Sequence, residues 1–253
     1  FVPCTDAIDP TIRVAIPYSM PKAVIFDLDG TLLNTLADIT AAMNYALEAR
    51  GYPPATLDEV RTRVGWGLST LVTRSLPDDR VDDQELVEAV ARGTRAYYRD
   101  HPVVETVPYP GVLDLVAELA RHGVQLAVLS NKPDELVQPI VEELLEPVVR
   151  TASPEGRGFA AVLGRRDGEP HKPDPASTYR ILEQLGASPA ETVFVGDSEI
   201  DIETAIAAGC VAVGVAWGFR EAAALSAAGA EHICYSMEQL RQVLGLTHKE
   251  ERV

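Results

Sequence analysis

Between residues 106 and 245 short apolar runs alternate with stretches of helical spacing, and no other feature restricts the possible fold so strongly. The runs at 124–129, 159–163, 192–195 and 211–215 read as buried strands, with a last short one at 232–234. The stretches at 112–122, 134–145, 176–185, 200–208 and 237–244 read as helices, with Gly123 and Gly186 at helix ends. Such alternation specifies a parallel sheet covered by helices on both faces. One more buried run, Ala23-Val24-Ile25-Phe26, precedes a block at 34–105 that contains no strand-like segment. In that block Leu36, Ile39, Met43, Ala46 and Leu47 recur at helical spacing until Gly51, Pro53 and Pro54. Thr56-Leu57-Asp58-Glu59 then has the form of a capping box. Val64-Gly65-Trp66-Gly67-Leu68 is a glycine-broken joint before a helix to Leu76, and a long amphipathic helix follows from about 82 to 101. The expected fold class is α/β: a doubly wound parallel-sheet (Rossmann-like) core with an inserted α-helical cap domain. The core is expected from residues 20–33 and 106–253 and the cap from 34–105. Residues 1–19 carry Pro3, Pro10 and Pro17, and Arg13 breaks their one apolar patch. They lack the apolar centre of a signal peptide and are expected to be an appendage outside the catalytic fold.

Composition narrows the function. Twenty-two Lys and Arg against 38 Asp and Glu leave a net charge of −16. A body this acidic repels nucleic-acid backbones and anionic lipid, and no apolar run reaches the roughly 18 residues of a membrane span. Neither nucleic acid nor membrane is expected as a partner. An anionic substrate would need local positive charge, which a divalent metal can supply. The three cysteines, Cys4, Cys210 and Cys234, are scattered. That suits a reducing, cytoplasmic setting rather than a disulfide framework. A monomer or a homodimer is expected.

Ligands of open parallel sheets bind beyond the carboxyl ends of the strands. Asp27 and Asp29 follow the first strand, Ser130 and Asn131 another, and Asp197 and Asp201 a third, while Lys172 lies in a connecting loop. Phosphoryl transfer needs a nucleophile, a proton donor for the leaving oxygen, and positive charge on the phosphoryl group. Asp27 can attack phosphorus as a carboxylate nucleophile. Asp29 can protonate the leaving oxygen and later accept a proton from water. Mg²⁺ takes few protein oxygens; Asp27, the backbone carbonyl of Asp29, and Asp197 suit it, and Asp201 can hold a metal-bound water or orient Lys172. Lys172 and Ser130 can bind the phosphoryl oxygens, with backbone N–H groups of the Gly30-Thr31 turn.

Four segments in order resemble the motifs of the haloacid dehalogenase superfamily: Asp27-Leu28-Asp29-Gly30-Thr31, Leu129-Ser130-Asn131-Lys132, Lys172-Pro173-Asp174-Pro175 and Gly196-Asp197-Ser198-Glu199-Ile200-Asp201. The resemblance spans about residues 20–245. The second aspartate of the first motif implies the phosphatase side, because the halide-releasing members lack it and a halide needs no proton donor. Val64-Gly65-Trp66-Gly67, Pro108-Tyr109-Pro110-Gly111-Val112, Ser130-Asn131-Lys132-Pro133 and Trp217-Gly218-Phe219 resemble the phosphoglycolate-phosphatase branch. That resemblance implies a small phosphorylated metabolite, with Gly65, Trp66, Gly67 and Asn131 at the substrate. Arg165-Arg166 departs from the branch, which usually has a Gly-Asp-rich loop there.

Plainer readings stand beside these. Each aspartate alone suits a turn or helix cap, Ser130 a helix N-cap, and Asp201 a partner for a helix dipole. Gly65 and Gly67 suit a hinge, and Trp66, His101, Tyr97 and Tyr98 suit packing. His171 reads as structural, and Cys210 and Cys234 as inert core residues. Within the same fold a pyrophosphatase and a phosphosugar phosphatase or mutase are alternatives. Outside enzymes, the alternative is a regulatory module that binds a phosphoanion without turnover. Asp29 argues against it, since such a module needs no leaving-group acid.

Overall fold

The structure is a computed structural model that describes residues 20–246, so the expected appendage at 1–19 and Cys4 lie outside the described residues. Its centre is a six-stranded parallel sheet. In chain order the strands are β1 (Ala23–Phe26), β4 (Gln125–Pro133), β5 (Ala161–Arg165), β6 (Thr192–Gly196), β7 (Val211–Val215) and β8 (His232–Cys234). In space the order is β5-β4-β1-β6-β7-β8. β1 is flanked by β4 and β6, its Phe26 paired in register with Val128 and Val195.

The period-2 alternation of a strand divides the core between the two faces. Val24, Phe26, Val193, Val195, Val213 and Val215 belong to one apolar cluster. Ala23, Ile25, Phe194 and Ala212 belong to the other. Helices α5 (Val112–Arg121) and α6 (Asp134–Leu144) cover the first face. Helices α8 (Ala176–Leu185) and α9 (Glu199–Ala208) cover the second. Gly186 adopts the left-handed conformation expected after α8.

The helices α1 (Leu36–Glu48), α2 (Leu57–Arg63), α3 (Leu68–Thr73) and α4 (Gln84–Asp100) follow β1. They pack mainly through α1 against α4 and share the larger apolar cluster with the sheet. The expected capping box at Thr56 and Glu59 is present. No helix among the described residues is long and apolar enough to cross a membrane.

Several local expectations are corrected. Two strands of two residues each, not indicated by the sequence, lie at the edges of the helical segment. Strands β2 (Leu33–Asn34) and β3 (Val107–Pro108) pair antiparallel where the helical segment leaves and rejoins the sheet. β4 continues to Pro133 instead of stopping at Leu129, with an irregular register between those residues. Ser130, Asn131 and Lys132 thus lie on buried extended backbone, not in an exit loop. β5 begins two residues later than the apolar run and ends at Arg165. Two helices were absent from the periodicity, α7 (Glu146–Ala152) and α10 (Ala222–Ala227). A last helix, α11 (Met237–Val243), completes the described chain.

Candidate active site

The carboxyl ends of β1, β4 and β6 open into a cavity also lined by the helical segment, through residues such as Ile39, Gly65, Leu71 and Tyr98. Asp27, Asp29, Ser130, Asn131, Lys172, Asp197 and Asp201 all line it. Residues scattered over more than 170 positions converge because β1 lies between β4 and β6 in the sheet.

The centre is a buried charge cluster. Lys172 donates to Asp27 Oδ1 and to Asp201 Oδ1, each at 2.6 Å. Asp201 holds its position through the N-terminus of α9, where its Oδ2 accepts from the backbone N–H and the hydroxyl of Ser198. Helix capping and orientation of Lys172 are thus performed by different oxygens of one carboxylate. Asp197 accepts from the Phe219 N–H at 2.7 Å and from the Thr31 hydroxyl at 3.2 Å.

Burial and like charge set the titration of this group. Burial pushes Asp27 well above the usual carboxylate range; Lys172 opposes the shift, while Asp201, Asp197 and Asp29 add to it. Burial and the Asp201 charge raise Asp197 to about 7, against the Phe219 N–H and Thr31 bonds. Burial works against the Lys172 charge, but Asp201 and Asp27 outweigh it and hold the ammonium charged.

Ligand oxygens of Asp27, Asp197 and Asp201 lie within 4.8 Å of one another. Three buried carboxylates face one buried ammonium, so when ionised the cluster has an excess of two negative charges. An all-oxygen donor set with that excess fits a hard divalent cation such as Mg²⁺. The carboxylate of Asp29 is not in this group. It accepts from Lys132 Nζ at 2.9 Å, leaving only its backbone carbonyl as the expected metal donor.

Other expected contacts are corrected. The Gly30 N–H donates to the Leu33 carbonyl and the Thr31 N–H to the Leu28 carbonyl at 3.4 Å, so neither expected backbone donor is free for a phosphoryl group, and the Thr31 hydroxyl is taken by Asp197. Gly30 has a different role. At a φ of 91°, it carries hydrogen where a Cβ would stand 2.3 Å from Asp197 Oδ2. Ser130 does not cap a helix; its Oγ accepts from the Lys132 N–H at 3.2 Å, which leaves the hydroxyl proton to donate. Asn131 Nδ2 donates to the carbonyls of Gly65 and Lys172, tying the glycine loop to the sheet, and its buried Oδ1 has no partner. Gly65 and Gly67 line the cavity, whereas Trp66 is not among its lining residues and lies near the Arg74 guanidinium.

Two residues without an assigned role from the sequence, Lys132 and Arg220, also reach the cavity. Lys132 pairs with Asp29, and its ammonium lies 4.2 Å from the centre of the Tyr98 ring on α4. Arg220 donates to the carbonyls of Arg61 and Val64 at the end of α2. Lys132 had a sequence signal only as part of the Leu129-Ser130-Asn131-Lys132 segment that carries the family resemblance. Arg220 had none, since its targets lie more than 150 positions away.

Residues 24–215 match the family described as haloacid dehalogenase-like hydrolase, most of the chain. The chain belongs to the haloacid dehalogenase-like hydrolase family. A phosphoglycolate phosphatase of Pseudomonas putida is 36% identical over 208 residues, covering 81% of this chain and 72% of that protein. Phosphoglycolate phosphatase 1 of Pseudomonas aeruginosa is 35% identical over 205 residues, covering 79% of this chain and 71% of that one. A solved structure from Haemophilus somnus, described as a predicted phosphoglycolate phosphatase, superposes with a TM-score of 0.76 at 29% identity, covering 90% of this chain and 99% of its own. The α/β fold of this haloacid dehalogenase-like hydrolase is thus shared with solved members.

Proposed function

We propose that the protein is a phosphatase that hydrolyses a small phosphate monoester, with 2-phosphoglycolate the leading substrate, by way of an aspartyl phosphate on Asp27. The observation that carries the reading is the different company of two neighbouring carboxylates. Asp27 is buried beside Lys172, Asp197 and Asp201, whereas Asp29 is drawn away to Lys132. One carboxylate is suited to attack and the other to proton transfer. The names of the similar Pseudomonas proteins support 2-phosphoglycolate as the substrate.

In the first half-reaction a carboxylate oxygen of Asp27 attacks phosphorus. The bond from phosphorus to the bridging oxygen breaks, and Asp29 gives that oxygen a proton. In the second half, water attacks the phosphorus and gives a proton to Asp29. The phosphorus–oxygen bond to Asp27 then breaks, releasing inorganic phosphate and restoring the carboxylate. Lys172 and the Ser130 hydroxyl hold the transferring oxygens. Mg²⁺ held by Asp27, Asp197, Asp201 and the Asp29 carbonyl would neutralise charge on the phosphoryl group. Residues 34–105 act as a cap that excludes water while the chemistry proceeds.

The test is phosphate release from 2-phosphoglycolate, pyrophosphate and p-nitrophenyl phosphate with Mg²⁺. Asp27→Asn keeps the side-chain shape but removes the attacking charge. It is expected to lower kcat at least about a thousandfold, roughly 4 kcal/mol in barrier, with the fold intact by circular dichroism. Retention of a tenth of the parent turnover would exclude attack by Asp27.

A further inference from the structure

The cavity contains three cationic side chains among the described residues, and their bonding differs. Lys172 is held between two carboxylates. Arg220 is committed to two backbone carbonyls and to Glu199, whose carboxylate lies 3.4 Å from its Nε. Lys132 has one ionic partner, Asp29, and an aromatic face beneath it. An ammonium carries three N–H donors, so Lys132 keeps donors that its carboxylate partner does not take. Its side chain is only 5% exposed, and water therefore offers little substitute.

The position of this ammonium is as informative as its bonding. Lys132 Nζ lies 2.9 Å from the oxygen of Asp29, and Asp29 is the group proposed to protonate the leaving oxygen. The oxygens of a carboxylate one carbon beyond that oxygen lie three bonds from it, at about 2.7–3.7 Å given ordinary C–C and C–O lengths. A carboxylate there can turn toward the Lys132 ammonium, which contacts the proposed proton donor at 2.9 Å. A neutral tail would leave the ammonium's other donors unmatched in a site walled by Leu71, Leu136 and the Tyr98 ring.

Resting on the phosphatase reading above, we infer that Lys132 determines specificity by binding a second anionic group, a carboxylate one carbon beyond the ester oxygen of the substrate. The class selected is the short phosphomonoester acid, in preference to neutral alkyl, aryl or sugar phosphates. Tyr98 holds the ammonium from the side of α4, so the wall that reads the tail is formed jointly by the sheet and the helical segment. The glycine loop at Gly65–Gly67 then shapes the cavity without supplying its charge.

The experiment compares kcat/KM for carboxymethyl phosphate (2-phosphoglycolate) and ethyl phosphate, which replaces the carboxylate by methyl. The parent is expected to favour the acid by at least about 100-fold. Lys132→Met keeps the length and the contact with the Tyr98 ring but removes the charge. Both rates fall, because Asp29 loses its partner, yet the preference ratio is expected to shrink at least 30-fold. Lys132→Arg keeps the charge and is expected to retain most of the ratio. A parallel fall that leaves the ratio unchanged would overturn the inference and make Lys132 a positioning residue for Asp29 alone. So would a parent enzyme that hydrolyses both esters equally. If Lys132→Met does not fold, Lys132→Gln is judged by the same ratio. Absence of turnover by the parent with both esters and with p-nitrophenyl phosphate is the distinct outcome that defeats the phosphatase reading itself.

Discussion

Asp38 illustrates how far a single side chain outside the cavity can reach. Its carboxylate, on α1, accepts from the backbone N–H groups of Val104, Glu105 and Thr106 and from the Thr106 hydroxyl. It clasps the segment by which the chain leaves α4 for β3. Burial opposes its ionisation, but the Thr106 hydroxyl and the three N–H groups outweigh burial and hold the carboxyl below its ordinary value. Asp38→Asn replaces an acceptor oxygen by an amide that faces donors. It is expected to cost about 2 kcal/mol at pH 7. Because the folded-state pKa lies below the unfolded value of about 3.9, this contribution is complete above that pH and is lost as pH falls through the folded value. Urea midpoints of parent and variant at pH 7, 5 and 3 check it. A difference that stays constant down to pH 3 would show that charge is not the source. Periodicity placed Asp38 on the first helix, but its partners more than 60 residues away were not legible, since only the folded linker presents them.

At the scale of elements, the loop after β7 joins the acidic cluster to the helical segment. The Phe219 N–H binds Asp197, and the next residue, Arg220, holds the last carbonyls of α2. Arg220→Ala is expected to raise KM for small phosphate esters about 5- to 20-fold, with a smaller change in kcat. The glycine loop would lose its support, while the residues at the phosphorus stay in position. Arg220→Lys should recover only part of the loss, because a single ammonium does not reproduce the fork of a guanidinium. A fall in kcat alone, with KM unchanged, would count against the loop role. Long elements with regular apolar spacing, such as α4, α8 and β7, were legible in the sequence. The two-residue strands β2 and β3 were not, because their pairing joins Leu33 to Pro108 and leaves no local pattern. Helix α7 was hidden because Pro147 reads as a breaker, although at the start of a helix its fixed φ is favourable. Helix α10 buries only Leu225, too little to leave a period.

The whole molecule combines a net charge of −16 with a buried acidic cluster, so a divalent cation held there would couple to its stability. A cation that binds only the folded state stabilises it by about 2.7 kcal/mol at one hundred times its Kd. For a protein of this size that corresponds to a rise in Tm of several degrees, at about 2–4 °C per kcal/mol. Asp197→Asn should abolish most of the Mg²⁺-dependent rise. Without the cation it should melt no lower than the parent, because it removes a repelled buried charge. The new amide can still accept from the Phe219 N–H and donate to the Thr31 hydroxyl. Differential scanning fluorimetry with and without Mg²⁺ checks both. An undiminished rise in Asp197→Asn would remove Asp197 from the cation site.

What the sequence by itself determined is the architecture and the gathering of Asp27, Ser130, Lys172, Asp197 and Asp201 at one edge. Continuous apolar runs dictate buried parallel strands, and polar residues just beyond them emerge on the same side of the sheet. Only the tertiary structure decided which ammonium meets Asp27 and which meets Asp29. Lys172 chooses Asp27 across 145 positions, and Lys132 chooses Asp29 across 103. Those pairings depend on the neighbours of β1 in the sheet, on the extension of β4 through Lys132, and on a helix from a distant segment placing Tyr98 against it. A charge pair in a buried site is set by angstrom-scale distance and local desolvation. The spacing of residues along a chain does not encode either quantity.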